Sequence, residues 1–210
     1  MITLYYHRGA CSTSNHFALE DAGLAYEAIE VHLDREDDSI AQKVRALNPM
    51  AMTPVLVLED GDVLTQNAAT LSYIADLAPE KALLPKPGTR ERAHADSWMA
   101  FVASDLHPVI IEYIYKGFGA TETERARLVD FYEGRVARRL KVLEARLADH
   151  RYILGDDYSV IDGYALIVLN WSLPAKLSLD AYPNICGYME RLEARPSIRK
   201  VREVEGPINW

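Results

Sequence analysis

At 210 residues, with 49% hydrophobic and 26% charged side chains, the chain has room for one large globular domain or two small ones. A formal net charge of -8 argues against a nucleic-acid or anionic-membrane surface, because either needs clustered Lys and Arg. No apolar run approaches bilayer length, the two cysteines lie too far apart for a disulfide framework, and no charged segment followed by an apolar one opens the chain. These features predict a cytoplasmic protein in a reducing compartment.

Ile2-Thr3-Leu4-Tyr5-Tyr6 is β-branched and aromatic, which suits a strand, and from Ser14 the spacing of Phe17, Leu19, Ala22 and Leu24 is helical. Between them lies Gly9-Ala10-Cys11-Ser12-Thr13-Ser14. Cys11 therefore falls at the mouth of a helix, where unpaired amides and the dipole favour an anion, and the pattern predicts a thiol of lowered pKa. Three residues on, where a dithiol redox enzyme keeps its resolving cysteine, stands Ser14. The thiol can pair only with one brought by a substrate or cofactor. Ser12 and Tyr5 are near enough to assist it and rank below it as candidates.

After a first helix ending near Gly23, Tyr26 to Leu33 alternates as a second strand and completes a βαβ unit. Arg35 to Leu47 is charged and irregularly helical, and Asn48-Pro49 breaks it. Met52 to Leu58 reads as a strand that tolerates Pro54 near its start, and Asp60-Gly61 turns it back into Val63-Leu64. A third helix follows, with Gln66 or Asn67 near its start and Leu71, Ile74, Ala75 and Leu77 on one face. Residues 1-78 thus predict an α/β domain of order β-α-β-α-β-β-α.

The segment 79-89 gathers three of the ten prolines and reads as a linker, and 90-210 reads as an all-helical second domain. Its expected helices are Arg90 to Tyr115, Thr123 to His150 capped by Thr121 or Thr123, a buried spine after Ser159-Val160-Ile161-Asp162, and two shorter ones around Asn184 to Ala194 and from Pro196. Ser159 and Asp162 are assigned to structure, as a capping box. Trp171 and Tyr113 or Tyr115 are candidates to line an acceptor pocket, but aromatics at helical spacing are more often core, and Cys186 among Ile185, Tyr188 and Met189 reads as core. No His, Cys and carboxylate spacing suggests a metal.

On this layout the run Gly9-Ala10-Cys11-Ser12, the pair Thr53-Pro54, the run Leu64-Thr65-Gln66-Asn67-Ala68-Ala69, the tetrad Ser104-Asp105-Leu106-His107 and the stretch Ser159-Val160-Ile161-Asp162-Gly163-Tyr164 fall in one order. With them, nearly the whole chain resembles a cytosolic glutathione S-transferase, most of all the bacterial beta class. The resemblance implies a thioredoxin-like domain that binds glutathione as co-substrate, a helical domain that carries the electrophile pocket, and a homodimer. The implied activity is conjugation of glutathione to hydrophobic electrophiles, with thiol-disulfide exchange through Cys11. The alternatives are a specialised glutathione-dependent isomerase or dehalogenase, or a non-catalytic binding protein on the same fold.

Residue by residue, the resemblance implies that Cys11 contacts the glutathione sulfur and forms a mixed disulfide with it. Thr53, before a cis-proline at Pro54, pairs with the cysteinyl backbone, and Gln66 and Asn67 hold the γ-glutamyl group. His107 reaches toward the sulfur from the second domain, while Ser104 and Asp105 approach the glutathione of a partner subunit. Three positions depart from the family pattern. Gln66-Asn67 replaces an acid followed by serine, so no carboxylate meets the substrate's ammonium. Glu36 stands where a lysine is usual, which leaves Arg35 beside it as the basic contact. Pro108 follows His107 where the class can have a lysine.

Overall fold

The period-two alternation of the first strand sorts the N-terminal domain into two faces. In a computed structural model that describes residues 1–115 and 121–206, β1 (Ile2–Tyr6) sends Ile2, Leu4 and Tyr6 into one apolar cluster and Tyr5 into another. The first cluster includes Phe17, Ala18 and Leu19 of α1 (Thr13–Ala22) and Leu71 and Ile74 of α3 (Asn67–Leu77). The second packs Tyr5 with Ala41 and Val44 of α2 (Ser39–Leu47). Tyr5, an expected helper of Cys11, is thus on the far side of the sheet, with Lys43 Nζ 5.3 Å from its ring centre.

β1 pairs in parallel with β2 (Tyr26–Glu30) and antiparallel with β3 (Val55–Val57), which pairs antiparallel with β4 (Val63–Thr65), giving the strand order β2-β1-β3-β4. This is the thioredoxin-like β-α-β-α-β-β-α arrangement. β2 and β3 are both cut shorter than the apolar runs that hold them. Val31 N–H still reaches Tyr6 O at 2.8 Å, after which Arg35 N–H turns back to His32 O at 3.1 Å. On β3, Pro54 follows a cis peptide bond and has no N–H to lend the ladder, so pairing starts at Val55. Helix α2 begins only at Ser39 because Asp38 caps it, its carboxylate accepting from the amides of Ile40 and Ala41 at 2.8 and 3.0 Å.

Beyond α3, residues 79–89 hold one 3-10 turn, Pro79–Lys81, and buried Leu83, whose carbonyl accepts from Val160 N–H at 3.2 Å. The helix expected over Arg90 to Tyr115 is not regular: α4 (Arg90–Ala100) and α5 (His107–Ile114) are joined by a π-helical stretch, Phe101–Leu106. Pro108 supplies the reason, since it offers no N–H to the carbonyl four residues back and its ring crowds that turn. Helix α6 (Glu122–Asp149) opens with the Thr121–Glu124 capping box. Every residue of α7 (Val160–Asn170) is buried, in keeping with the apolar run Ala165 to Leu169 at its centre. A short α8 (Ser172–Ala175), unforeseen, precedes α9 (Pro183–Glu193) and α10 (Pro196–Glu205). Residues 207–210 of the expected second domain lie outside the described residues.

The helical domain grips α1. Gly163 of α7 lies against Phe17 of α1, and a Cβ there would come within 2.8 Å of Tyr158 Oη, so glycine leaves the room that phenol occupies. On the other side of α1, Glu205 of α10 is buried with one oxygen accepting from Thr13 Oγ1 at 2.7 Å and the other 3.0 Å from His16 Nδ1. Asp21 and Glu20 pair with Arg195 and Lys200 at 2.9 and 2.7 Å. Cys11 is carried on a helix start held by both domains. Among the described residues, no helix is long and apolar enough to cross a membrane.

Candidate active site

A run of tight turns, with amides of Ala10, Thr13 and Ser14 donating to the carbonyls three residues earlier, leads from β1 into α1 and holds Cys11 just ahead of the helix. Ser12 is fully buried. Its hydroxyl accepts from His7 N–H at 3.0 Å and from Thr53 Oγ1 at 3.2 Å, and donates back to His7 O at 3.3 Å. Those bonds fix the loop to the residue before Pro54 and leave Ser12 no part as a nucleophile.

Cys11 Sγ lies 3.8 Å from Thr53 O, to which it donates. Cys11, Thr53 and His107 line one cavity of about 550 Å³ between the two domains, together with Leu33, Met52 and Ala10. His7, His32 and Asp34 complete the rim. These three residues were missed in the sequence because loop positions carry no period. His7 Nδ1 donates to Val31 O at 2.8 Å, which fixes that ring's tautomer.

The expected lowering of the Cys11 pKa is overturned. Burial pushes the thiol up from 9.0 to about 12, although amides of Ser12 and of Cys11 itself act in the opposite sense. Cys11 is open to the cavity on one side, but most of the volume around its sulfur is protein. A helix start favours an anion by ~0.3–1 kcal/mol when exposed and ~2 when partly buried, which is less than the cost of desolvating a thiolate here. Cys11 is therefore a thiol, and a hydrogen-bond donor, at neutral pH.

His107 caps the cavity from the helical domain, at the end of the π-helical stretch that Pro108 imposes. Burial lowers its pKa from 6.5 to about 4, so the imidazole is neutral. Its Nδ1 is 2.6 Å from Tyr164 Oη, and its ring packs edge-on against Trp171 at 4.8 Å between centres. Trp171 is buried, as read, and also joins the domains, its Nε1 donating to Gly9 O at 2.8 Å in the loop that carries Cys11. Tyr164 was not singled out in the sequence. The available signal was a phenol in a buried, largely aliphatic helix, where a hydroxyl needs a partner.

The remaining candidates stand around this centre rather than in it. Asn67 is buried, its Oδ1 accepting from Asn15 Nδ2 and its Nδ2 donating to Ser14 Oγ at 3.1 Å, so its side chain ties α3 to α1. Gln66 is exposed, with φ 72° and ψ 116°, an uncommon backbone for a residue with a side chain, at the amide end of α3. Arg35 and Glu36 are exposed one and two residues past Asp34. Ser104 and Asp105 are exposed on the π-helical stretch, where Ser104 Oγ donates to Ala100 O at 2.6 Å and Asp105 pairs with Arg139 at 3.3 Å.

Tyr113 is buried, whereas Tyr115 is 59% exposed and so is not the core residue expected. Cys186, also expected in the core, is half-buried along a groove with Leu173 and Leu179, its thiol donating to Leu179 O at 3.4 Å. Among the described residues no cluster of three or more His, Cys, Asp or Glu is placed to hold a metal ion.

Two family models match the chain: Glutathione S-transferase, N-terminal domain, over residues 10–77, and Glutathione S-transferase, C-terminal domain, over residues 106–196. A relative named Glutathione S-transferase GST-4.5, from Xanthomonas campestris pv. campestris, is 31% identical over 97% of this chain and 98% of its own. The solved structure of a bacterial beta class glutathione S-transferase from Sphingomonas chungbukensis is 32% identical over 98% of this chain and 100% of its own, with a TM-score of 0.87. A sphingomonad glutathione S-transferase solved in complex with glutathione is 28% identical at the same coverage, also with a TM-score of 0.87.

Proposed function

This chain belongs to the glutathione S-transferase family, and on that premise we propose that it conjugates glutathione to hydrophobic electrophiles in the cavity between its domains. The observation that carries the proposal is the meeting of Cys11, Thr53 and His107 around one space. Glutathione enters with its sulfur between Cys11 and His107 and its cysteinyl backbone along Thr53. Its γ-glutamyl carboxylate lies at the N-terminal amides of α3, with exposed Gln66 beside it. Asn67 contributes its backbone there, because its side chain is already engaged with Ser14 and Asn15.

The nucleophile is the glutathione thiolate. Cys11, protonated, and His107, neutral, both donate to that sulfur and lower its pKa. The thiolate attacks the electrophilic carbon, the carbon–sulfur bond forms as the leaving group departs with its electron pair, and Leu33 and Met52 give the acceptor an apolar wall. Exchange with a disulfide is a slower second activity: Cys11 must lose its proton, attack one sulfur of oxidised glutathione, and release the other half as a thiolate. Two copies of the chain assemble as a dimer, with Ser104 and Asp105 of one copy near the glutathione of the other.

Isothermal calorimetry with reduced glutathione at millimolar concentration, paired with conjugation of an aryl halide, tests the proposal. Binding with turnover is the expected result, and a protein that takes up no glutathione under those conditions is not a transferase of this kind.

A further inference from the structure

The donor that His107 presents to the cavity depends on which ring nitrogen carries its single proton, and the structure surrounds that question with fixed groups. His107 Nδ1 and Tyr164 Oη are 2.6 Å apart, with both rings held edge to face at 5.8 Å. One of the two donates, and two neutral tautomers satisfy the contact. In one, Nδ1–H gives its proton to the phenol oxygen and Nε2 meets the cavity as a bare acceptor. In the other, the phenol donates to Nδ1 and Nε2 meets the cavity as N–H.

The choice is made at Tyr164. The phenol is buried, and burial holds it protonated, as does the proximity of Cys11, whose charge would oppose ionisation. A buried hydroxyl needs an acceptor for its own proton, and His107 Nδ1 at 2.6 Å is the hydrogen-bond contact it makes. The Asn67 side chain is engaged elsewhere, its Oδ1 accepting from Asn15 and its amide nitrogen donating to Ser14. The tautomer with a bare Nδ1 gives the phenol's proton its acceptor, and the other tautomer turns that contact around and leaves the proton without one there. Tyr164 on α7 and His107 on α5 both belong to the helical domain, so the ring is set from behind the cavity.

We propose that Tyr164 is a positioning residue for conjugation: its buried hydroxyl donates to His107 Nδ1 and so fixes the imidazole with Nε2–H facing the glutathione sulfur. Trp171 holds the ring plane from the other side, and its bond to Gly9 O keeps that plane in register with the Cys11 loop. The proposal rests on the glutathione reading only for its catalytic consequence. The tautomer itself is a property of the protein without substrate.

The test is a nitrogen-detected spectrum of ring-labelled protein, assigned through a His107→Gln variant. At neutral pH the wild-type His107 is expected to show a bare Nδ1 and a protonated Nε2. Tyr164→Phe, which keeps the packed ring and removes only the hydroxyl, is expected to shift Nδ1 toward the exchange average and to lower kcat about 3- to 10-fold, with KM for glutathione little changed. In a His107→Gln background the same substitution is expected to cost nothing further. A protonated Nδ1 in the wild type, an unchanged ring spectrum in Tyr164→Phe, or full additivity of the two substitutions overturns the proposal. If Tyr164→Phe does not fold, the wild-type spectrum alone decides. Absence of glutathione binding defeats the functional reading and leaves the tautomer measurement standing.

Discussion

Asp162 and Tyr164 lie two residues apart on the same buried helix, and both put a polar group where water does not reach, yet their surroundings differ in kind. Asp162 is saturated: its carboxylate accepts from Ile153 N–H at 2.9 Å, Ser159 N–H at 2.7 Å, Ser159 Oγ at 2.8 Å and Tyr188 Oη at 2.8 Å. All four donors belong to the helical domain. Tyr164 is bonded to His107 of the same domain, and His107 keeps one ring edge for the cavity between the domains. A closed network holds a fold together, whereas a network with one free valence at a cavity holds a reactive group in place. The two-residue offset turns the side chains about 200° apart around a helix, which lets one helix serve both purposes.

The sharpest way to break the closed side is Asp162→Ala. It strands four buried donors at once, each costing ~1–3 kcal/mol when left without an acceptor, so a loss of about 3–5 kcal/mol in unfolding free energy is expected after local relaxation. Urea denaturation reads the loss, while conjugation per folded molecule stays near the wild-type value. A change below about 1 kcal/mol would show that the box is ornamental to stability.

On the open side, Cys11→Ala separates the two chemistries. Exchange with oxidised glutathione is expected to vanish, and mass spectrometry of the wild type is expected to show a single adduct on Cys11. Conjugation is expected to fall only by the worth of one donor, ~1–3 kcal/mol or up to about a hundredfold. In the wild type, exchange is expected to rise with pH well beyond neutrality, because burial raises the thiol to about 12. Exchange retained in Cys11→Ala, or an adduct found solely on Cys186, removes the thiol from the centre of the mechanism.

How much of this was legible in the sequence follows the same divide. The sheet, α1, α3 and the spine α7 announce themselves by period and by punctuation at Gly23, Asp60-Gly61 and Ser159, because burial of a face is written in the spacing of apolar residues. The thiol at a helix start was equally plain, but its pKa was misjudged, since proximity to amides is visible in sequence and the mass of protein around a sulfur is not. The π-helical stretch before His107 was missed although Pro108 marks it, because a helical period continues through it. Tyr164 and His7 were missed for a different reason. Their roles come from pairing with His107 and Val31, contacts made 57 and 24 residues away in sequence that no local pattern specifies.

The finest distinction between the two networks is the sign of their response to acid. Burial lowers His107 from 6.5 to about 4, so the folded state favours the neutral ring. That contribution is whole above the unfolded value of 6.5 and is lost as pH falls through 4, with a slope of at most about 1.4 kcal/mol per pH unit in between. Burial raises Asp162, so the folded state holds its proton more tightly than the unfolded chain does. This contribution has the opposite sense: present below 3.8 and lost as pH rises through the folded value. Unfolding free energies of wild type, His107→Gln and Asp162→Asn, measured by urea at half-unit steps from pH 4 to 8, separate the two, because every other titrating group cancels in the differences. The gap between wild type and His107→Gln is expected to be flat above 6.5 and to move against the wild type as pH drops, while the Asp162→Asn gap moves against the wild type as pH climbs. Conjugation should show no break near 6.5, since the ring proposed to donate to the sulfur is already neutral there. An inflection at 6.5 that disappears in His107→Gln would mean that the ring titrates as it does in water, and that the enclosure given to it by Tyr164 and Trp171 is looser than their contacts imply.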